Sequence, residues 1–89
     1  MLIFIDHDGT YNADPVLWNT FIKHALSRGH EMRMVTLRHE HETLENMPCQ
    51  VHYTGRKAKA DFMEAKGFPK HSIVWIDDMP WFLYNDAGA

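Results

Sequence analysis

Two short runs of branched and aromatic residues stop abruptly at acids. Leu2-Ile3-Phe4-Ile5 ends in Asp6-His7-Asp8-Gly9-Thr10, and Ser72-Ile73-Val74-Trp75-Ile76 ends in Asp77-Asp78. The first, apolar on every position and bounded by polar residues, reads as a strand buried on both faces, and the second reads as another buried strand. Between them the spacing turns helical. Val16 to Arg28 carries Val16, Leu17, Phe21, Ile22, Ala25 and Leu26 as a stripe, with Asp14 as N-cap, Pro15 at the first helical position and Gly29 as the stop. Met32 to Thr36 predicts a second strand, interrupted by Arg33. Arg38 to Asn46 is polar and predicts a loop leading into a short helix that Pro48 ends. Val51 to Thr54 predicts a short third strand. Arg56 to Lys66 predicts a helix with Ala58, Phe62, Met63 and Ala65 inward, stopped by Gly67 and Pro69. The aromatic-rich tail runs from Met79 to Ala89.

Strands alternating with helices predict a parallel sheet with crossover helices on its faces. The expected fold is α/β, a small three-layer Rossmann-like domain spanning residues 1–89, with about four strands and no cap domain. Composition narrows the function. A net charge of −3 without a basic run disfavours non-specific binding to nucleic acid or an anionic membrane. Cys49 is the only cysteine, so there is no internal disulfide and no thiolate metal site, as expected of a reducing compartment. No stretch has the pattern of a signal peptide or the length of a membrane span, so a cytoplasmic location is expected.

The chemistry gathers at strand ends. Alternation along a strand sends Asp6 and Asp8 to one side and His7 to the other. Neighbouring carboxylates repel, and a divalent cation is the usual compensation. Thr36 ends the second strand, Asp77 and Asp78 follow the fourth, and a lysine opens the helix after the third. That lysine is Lys57 or Lys59, and Lys59 is favoured because Phe62 and Met63 follow it at inward-facing helical spacing. Taken singly, each feature has a plain structural reading: an Asx turn, a capping turn, a β-branched strand residue, a solvated lysine. It is the joint pattern that points to a site. Arg38 reads either as a contact for a phosphate or carboxylate or as an exposed loop charge. His39 and His41, two apart on an expected helix, would diverge, and no zinc site is expected. Trp75, Trp81, Phe82 and Tyr84 read first as core and sheet-edge cover, and second as a stacking platform or dimer contact.

In these residues the chain resembles the haloacid dehalogenase-like hydrolase superfamily. That family carries Asp-x-Asp-Gly-Thr after the first strand, a Ser or Thr after the second, a lysine near a later helix and a final acidic pair. All four motifs occur in order, from Leu2 to Pro80. His7 departs from the apolar residue usual between the two aspartates. The resemblance implies a magnesium-dependent phosphohydrolase acting on a phosphate monoester. Asp6 would be the nucleophile that forms an aspartyl-phosphate, and Asp8 would be the general acid and base. Thr36, Lys59 and Arg38 would bind the substrate phosphate, and Asp6, Asp8 (through its carbonyl), Asp77 and Asp78 would hold Mg2+. With only Tyr11 to Asp14 between Thr10 and the first helix, no cap fits there, and an open site is implied unless a neighbouring subunit of a homo-oligomer covers it. Capless members act on large substrates or oligomerise, which implies a macromolecular phosphate such as a nucleic-acid end, a nucleotide or a phosphoprotein, with a phosphorylated small molecule as the alternative. The competing reading is a catalytically silent module that keeps the phosphate pocket. A phosphoacceptor receiver domain is disfavoured, because no Asp follows a middle strand and the second acidic pair comes last.

Overall fold

A computed structural model of the chain describes residues 1–88. The strand β1 (Leu2–Ile5) is paired on both sides, with β2 (Glu31–Thr36) and with β4 (Ile73–Ile76), and β3 (Gln50–Tyr53) adds outside β2. Every pairing is parallel, giving a four-stranded sheet of order β3-β2-β1-β4. This is a small Rossmann-like α/β fold. β1 is as apolar as it is because both its edges and both its faces are covered, and Phe4 and Ile5 are wholly buried.

Alternate residues of β1 serve two cores. Ile3 and Ile5 join Met32, Met34 and, from α1 (Pro15–Ser27), Ile22 and Ala25 on one face. Phe4 and Val35 meet Met63 of α2 (Lys59–Ala65) on the other, with Phe62, Phe68, Ile73 and Trp75 packed around them. Phe4 sits at the centre of edge-to-face contacts with Trp75 and Phe68, centroids 4.9 and 5.4 Å apart. Such geometry adds to the burial energy of aromatic rings. Cys49 lies against the first core, where burial pushes its thiol up to about 11.

The α1 start follows its sequence signals: the Asp14 Oδ1 accepts the Leu17 N–H at 3.1 Å and Pro15 opens the helix. Only two of its six stripe residues are buried. Val16, Leu17, Phe21 and Leu26 stay exposed, because only the Ile22–Ala25 face of this helix enters the core.

Four other expectations are corrected. β4, expected to be buried, is an edge strand of the sheet, with Val74 exposed. Residues 37–49 form turns and irregular chain, with no helix before Pro48. This loop is anchored from outside itself: Leu44 and Met47 pack on the first core, and the Tyr53 hydroxyl accepts the Leu44 N–H at 2.8 Å. The helix expected from Arg56 begins at Lys59 instead. Gly55 and Arg56 have φ of +60° and +74°, and the Lys57 N–H closes a turn on the Thr54 carbonyl at 3.3 Å. Ala65 points to solvent.

A short helix, α3 (Trp81–Tyr84), follows β4, with Leu83 buried and Trp81 and Tyr84 exposed. The tail then returns to the start of α2. There Asp86 Oδ1 accepts the Ala58 N–H at 2.7 Å and the Ala87 N–H donates to the Arg56 carbonyl at 2.9 Å. Ala58 has no side chain with which to cap its own helix, and Asp86 supplies the acceptor. Ala89 lies outside the described residues. Among the described residues no helix is long and apolar enough to cross a membrane.

Candidate functional site

The carboxyl ends of β1, β2 and β4 meet at a cleft of about 370 Å3 lined in part by Asp6, Asp8, Arg38, Lys59 and Asp77. Ligands of open parallel sheets bind at this edge. The backbone of Asp6 still belongs to the sheet, since its N–H donates to the Ile76 carbonyl at 2.9 Å, so its carboxylate is fixed at the last rung. The chain then turns sharply. The Thr10 and Asn12 N–H groups both donate to the His7 carbonyl, at 3.2 and 3.1 Å.

Gly9 makes this turn possible for two reasons. Its φ of +85° is left-handed, and a Cβ there would lie 2.3 Å from Asp78 Oδ2. The second acidic segment therefore rests directly on the first. Thr10 joins them: its hydroxyl lies 3.1 Å from Asp78 Oδ1 and 3.4 Å from Asp6 Oδ2, and it accepts the Asp78 N–H at 3.2 Å.

Lys59 is the buried cation of the site. Its Nζ donates to Asp6 Oδ1 at 2.7 Å and to Asp77 Oδ2 at 2.6 Å, and the residue is only 2 % exposed. Lys57 is exposed on the turn before the helix, so the position preferred from the Phe62–Met63 spacing is the one that reaches the acids. Asp77 is also fixed from the other side, its Oδ1 accepting the Met79 N–H at 2.9 Å. Burial pushes the Asp6 carboxyl up to about 7, against the opposing pull of Lys59. The group is short of positive charge.

Oxygens of Asp6, Asp77 and Asp78 all lie within 4.8 Å of one another. Three carboxylates facing one ammonium leave an excess of negative charge, and the donors are all hard oxygens. Magnesium suits such a set. The Asp8 carboxylate does not join these three, though it lines the same cleft as Asp6. It is turned to Arg38, which grips it in a two-pronged pair, Nε to Oδ2 at 2.9 Å and a terminal nitrogen to Oδ1 at 2.8 Å. This fork and the nearby His7 Nδ1 (3.2 Å) hold the carboxyl down at about 2. The Asp8 carbonyl accepts no hydrogen bond among the described residues.

His7 is not among the residues lining the cleft; it is buried beside Tyr11, with ring centroids 5.7 Å apart, and its Nδ1 reaches Asp8 Oδ1. Thr36 is 1 % exposed, and its hydroxyl accepts the Arg38 N–H at 3.2 Å. It braces the loop that carries Arg38, and the cleft wall at this strand end is made by Leu37 and Arg38. His39 and His41 stack at 5.4 Å because they lie on a loop, yet they belong to no cluster of metal-ligating side chains among the described residues. The aromatic tail divides: Trp75 joins the second core, Phe82 lines the cleft, and Trp81 and Tyr84 are exposed.

Two charged lining residues, Glu42 and Arg56, carry no site signal in the sequence. A left-handed Arg after a glycine is not a recognised turn signal, and only the paired loops bring either residue to the rim. In comparisons with known proteins, the chain matches no family model, no curated protein and no solved structure.

Proposed function

We propose that the chain is a magnesium-dependent phosphohydrolase of the haloacid dehalogenase-like type, attacking a phosphate monoester through Asp6. One observation carries the reading. A carboxylate at the end of the central strand faces a buried lysine, with two further carboxylates from another strand end beside it. Lys59 orients Asp6 and offers its ammonium to the charge that builds on the phosphoryl oxygens. Asp6, Asp77 and Asp78, with the free Asp8 carbonyl, are the groups that would hold Mg2+. When bound, the ion supplies the positive charge that keeps Asp6 ionised and screens the phosphate from it.

An Asp6 oxygen forms a bond to phosphorus as the ester oxygen departs with its electron pair, leaving an aspartyl-phosphate. Asp8 hands a proton to the departing oxygen. Water then attacks the phosphorus, Asp8 takes its proton, and Asp6 is released with inorganic phosphate. Held at about 2 by Arg38, Asp8 is a poor proton donor. The guanidinium must let go of Asp8 before the first step, and an incoming phosphate is a competing partner for it.

The test is hydrolysis of an aryl phosphate with and without magnesium, with Asp6→Asn alongside. Magnesium-dependent turnover that vanishes in the variant is expected. The second reading, a phosphate-binding module without turnover, draws on the closed Asp8–Arg38 pair, and phosphate binding that persists with no turnover in the wild type would select it.

A further inference from the structure

The loops after β2 and β3 are stitched together by three backbone hydrogen bonds. The Thr54 N–H donates to the Thr36 carbonyl (2.9 Å), Gly55 to Arg38 (3.1 Å) and Arg56 to Leu37 (2.8 Å). The stitching brings Arg38 and Arg56 together in the lining of the cleft. They differ in one respect. Arg38 is consumed by Asp8, and Lys59 by Asp6 and Asp77, whereas the Arg56 side chain makes no hydrogen bond or ion pair among the described residues.

Arg56 is also held there against its preference. It is one of three non-glycine residues with positive φ among those described, and it occupies the second central position of a Thr54–Lys57 turn whose first is Gly55. That position favours glycine or asparagine. Hydrogen bonds on both sides over-determine it, through its N–H to Leu37 and its carbonyl from Ala87. Backbone strain of this kind gathers where a side chain has work at a ligand.

Resting on the phosphohydrolase reading, we propose that Arg56 binds a second, non-reacting phosphate, so the substrate is a phosphate monoester that carries another phosphate group. The reacting group is served by Lys59, the acidic cluster and, once released from Asp8, Arg38. A second guanidinium residue lining the same cleft answers to a different anion, and its fork suits the paired oxygens of phosphate. Leu37, Met79 and Phe82 line the cleft with apolar surface for the organic part that joins the two. Glu42 also lines it; its carboxylate accepts the His39 N–H at 3.0 Å, and that bond, with the nearby Arg56 charge after it, holds the carboxyl below the usual carboxylate range.

The experiment compares a nucleoside 3′,5′-bisphosphate with the matching 5′-monophosphate, in wild type and in Arg56→Gly. Glycine accepts the left-handed backbone, so the variant removes the guanidinium without disturbing the turn. Wild type is expected to favour the bisphosphate in kcat/KM by about tenfold or more, beyond the factor of two that a second ester gives by number, and Arg56→Gly to lose that preference. Calorimetry on Asp6→Asn, with and without Arg56→Gly, reads the same preference as binding. Phosphatase activity with no bisphosphate preference, or one that survives Arg56→Gly, overturns this inference and leaves the phosphohydrolase reading standing. Arg56-dependent binding of the bisphosphate, with no turnover of any ester by the wild type, supports the second-phosphate contact and removes the phosphohydrolase.

Discussion

Replacing Gly9 by alanine tests how the two acidic strand ends are locked together. Two costs add. Holding an L-residue at φ +85° costs about 1–2 kcal/mol, offset by about 0.4–1 kcal/mol because alanine stiffens the unfolded chain. The new methyl would also lie 2.3 Å from Asp78 Oδ2, so that carboxylate must swing away and give up its 3.1 Å bond from Thr10. A hydrogen bond to a charged group is worth about 1.5–3 kcal/mol. The net loss should be about 2–4 kcal/mol, a fall in Tm on the order of 10–25 °C for a domain of this size. Gly29 and Gly67 are internal controls, because their φ values of +84° and +98° match but nothing lies within 4 Å of their Cβ positions. Their alanine variants should lose only the backbone term, about 1 kcal/mol or less. Urea unfolding of the three variants decides the matter. Equal losses at Gly9 and Gly29 would refute the contact between Gly9 and Asp78. In an Asp78→Ala background the Gly9 cost should shrink to the control level.

Lys59→Met strands the buried Asp6 and Asp77 without their cation and should cost about 3–5 kcal/mol in urea without magnesium. Adding millimolar magnesium should recover part of that loss, and an identical loss in both conditions would count against a cation pocket at these carboxylates. The pH profile has two limbs of opposite sign. Asp6 is raised in the folded state from 3.8 to about 7, so its contribution is fully present below pH 3.8 and fades as pH rises through about 7. Asp6→Asn should flatten that decline in unfolding experiments run without divalent ions. Asp8 is lowered from 3.8 to about 2, so its contribution is present above pH 3.8 and is lost as pH falls through about 2. Because its side chain is 49 % exposed, the gain is screened to about 1 kcal/mol, and Arg38→Ala should abolish it.

What could be read from the chain was what short-range pattern encodes. The Leu2–Ile5 run gave β1 its boundaries to the residue, Asp14-Pro15 gave the start of α1, and the Phe62–Met63 spacing singled out Lys59. What could not be read depends on distant partners. The loop over residues 37–49 takes its shape from Tyr53 and the core rather than from its own propensities. The Asp8–Arg38 pair spans thirty positions, and nothing local to either residue announces it. Arg56 was hidden because its turn uses a residue that turns rarely choose, and Asp86 because a helix cap is usually sought just before the helix, not in a returning tail. The α1 stripe was over-read, since an amphipathic pattern shows which residues are apolar but not how wide a sheet lies beneath them.

The central place of β1 also bears on how the molecule comes into being. Leu2–Ile5 finds its first neighbour at residues 31–36, but its other edge stays open until residues 73–76 have been made. During synthesis the most apolar strand therefore waits half-paired, with an edge onto which another chain can add. The acidic pair that completes the cleft arrives only with the strand that closes that edge. Pairings so far apart in sequence slow folding. A variant that weakens β4 should thus show itself first as aggregation of nascent protein, before any loss is measurable in the purified, folded molecule.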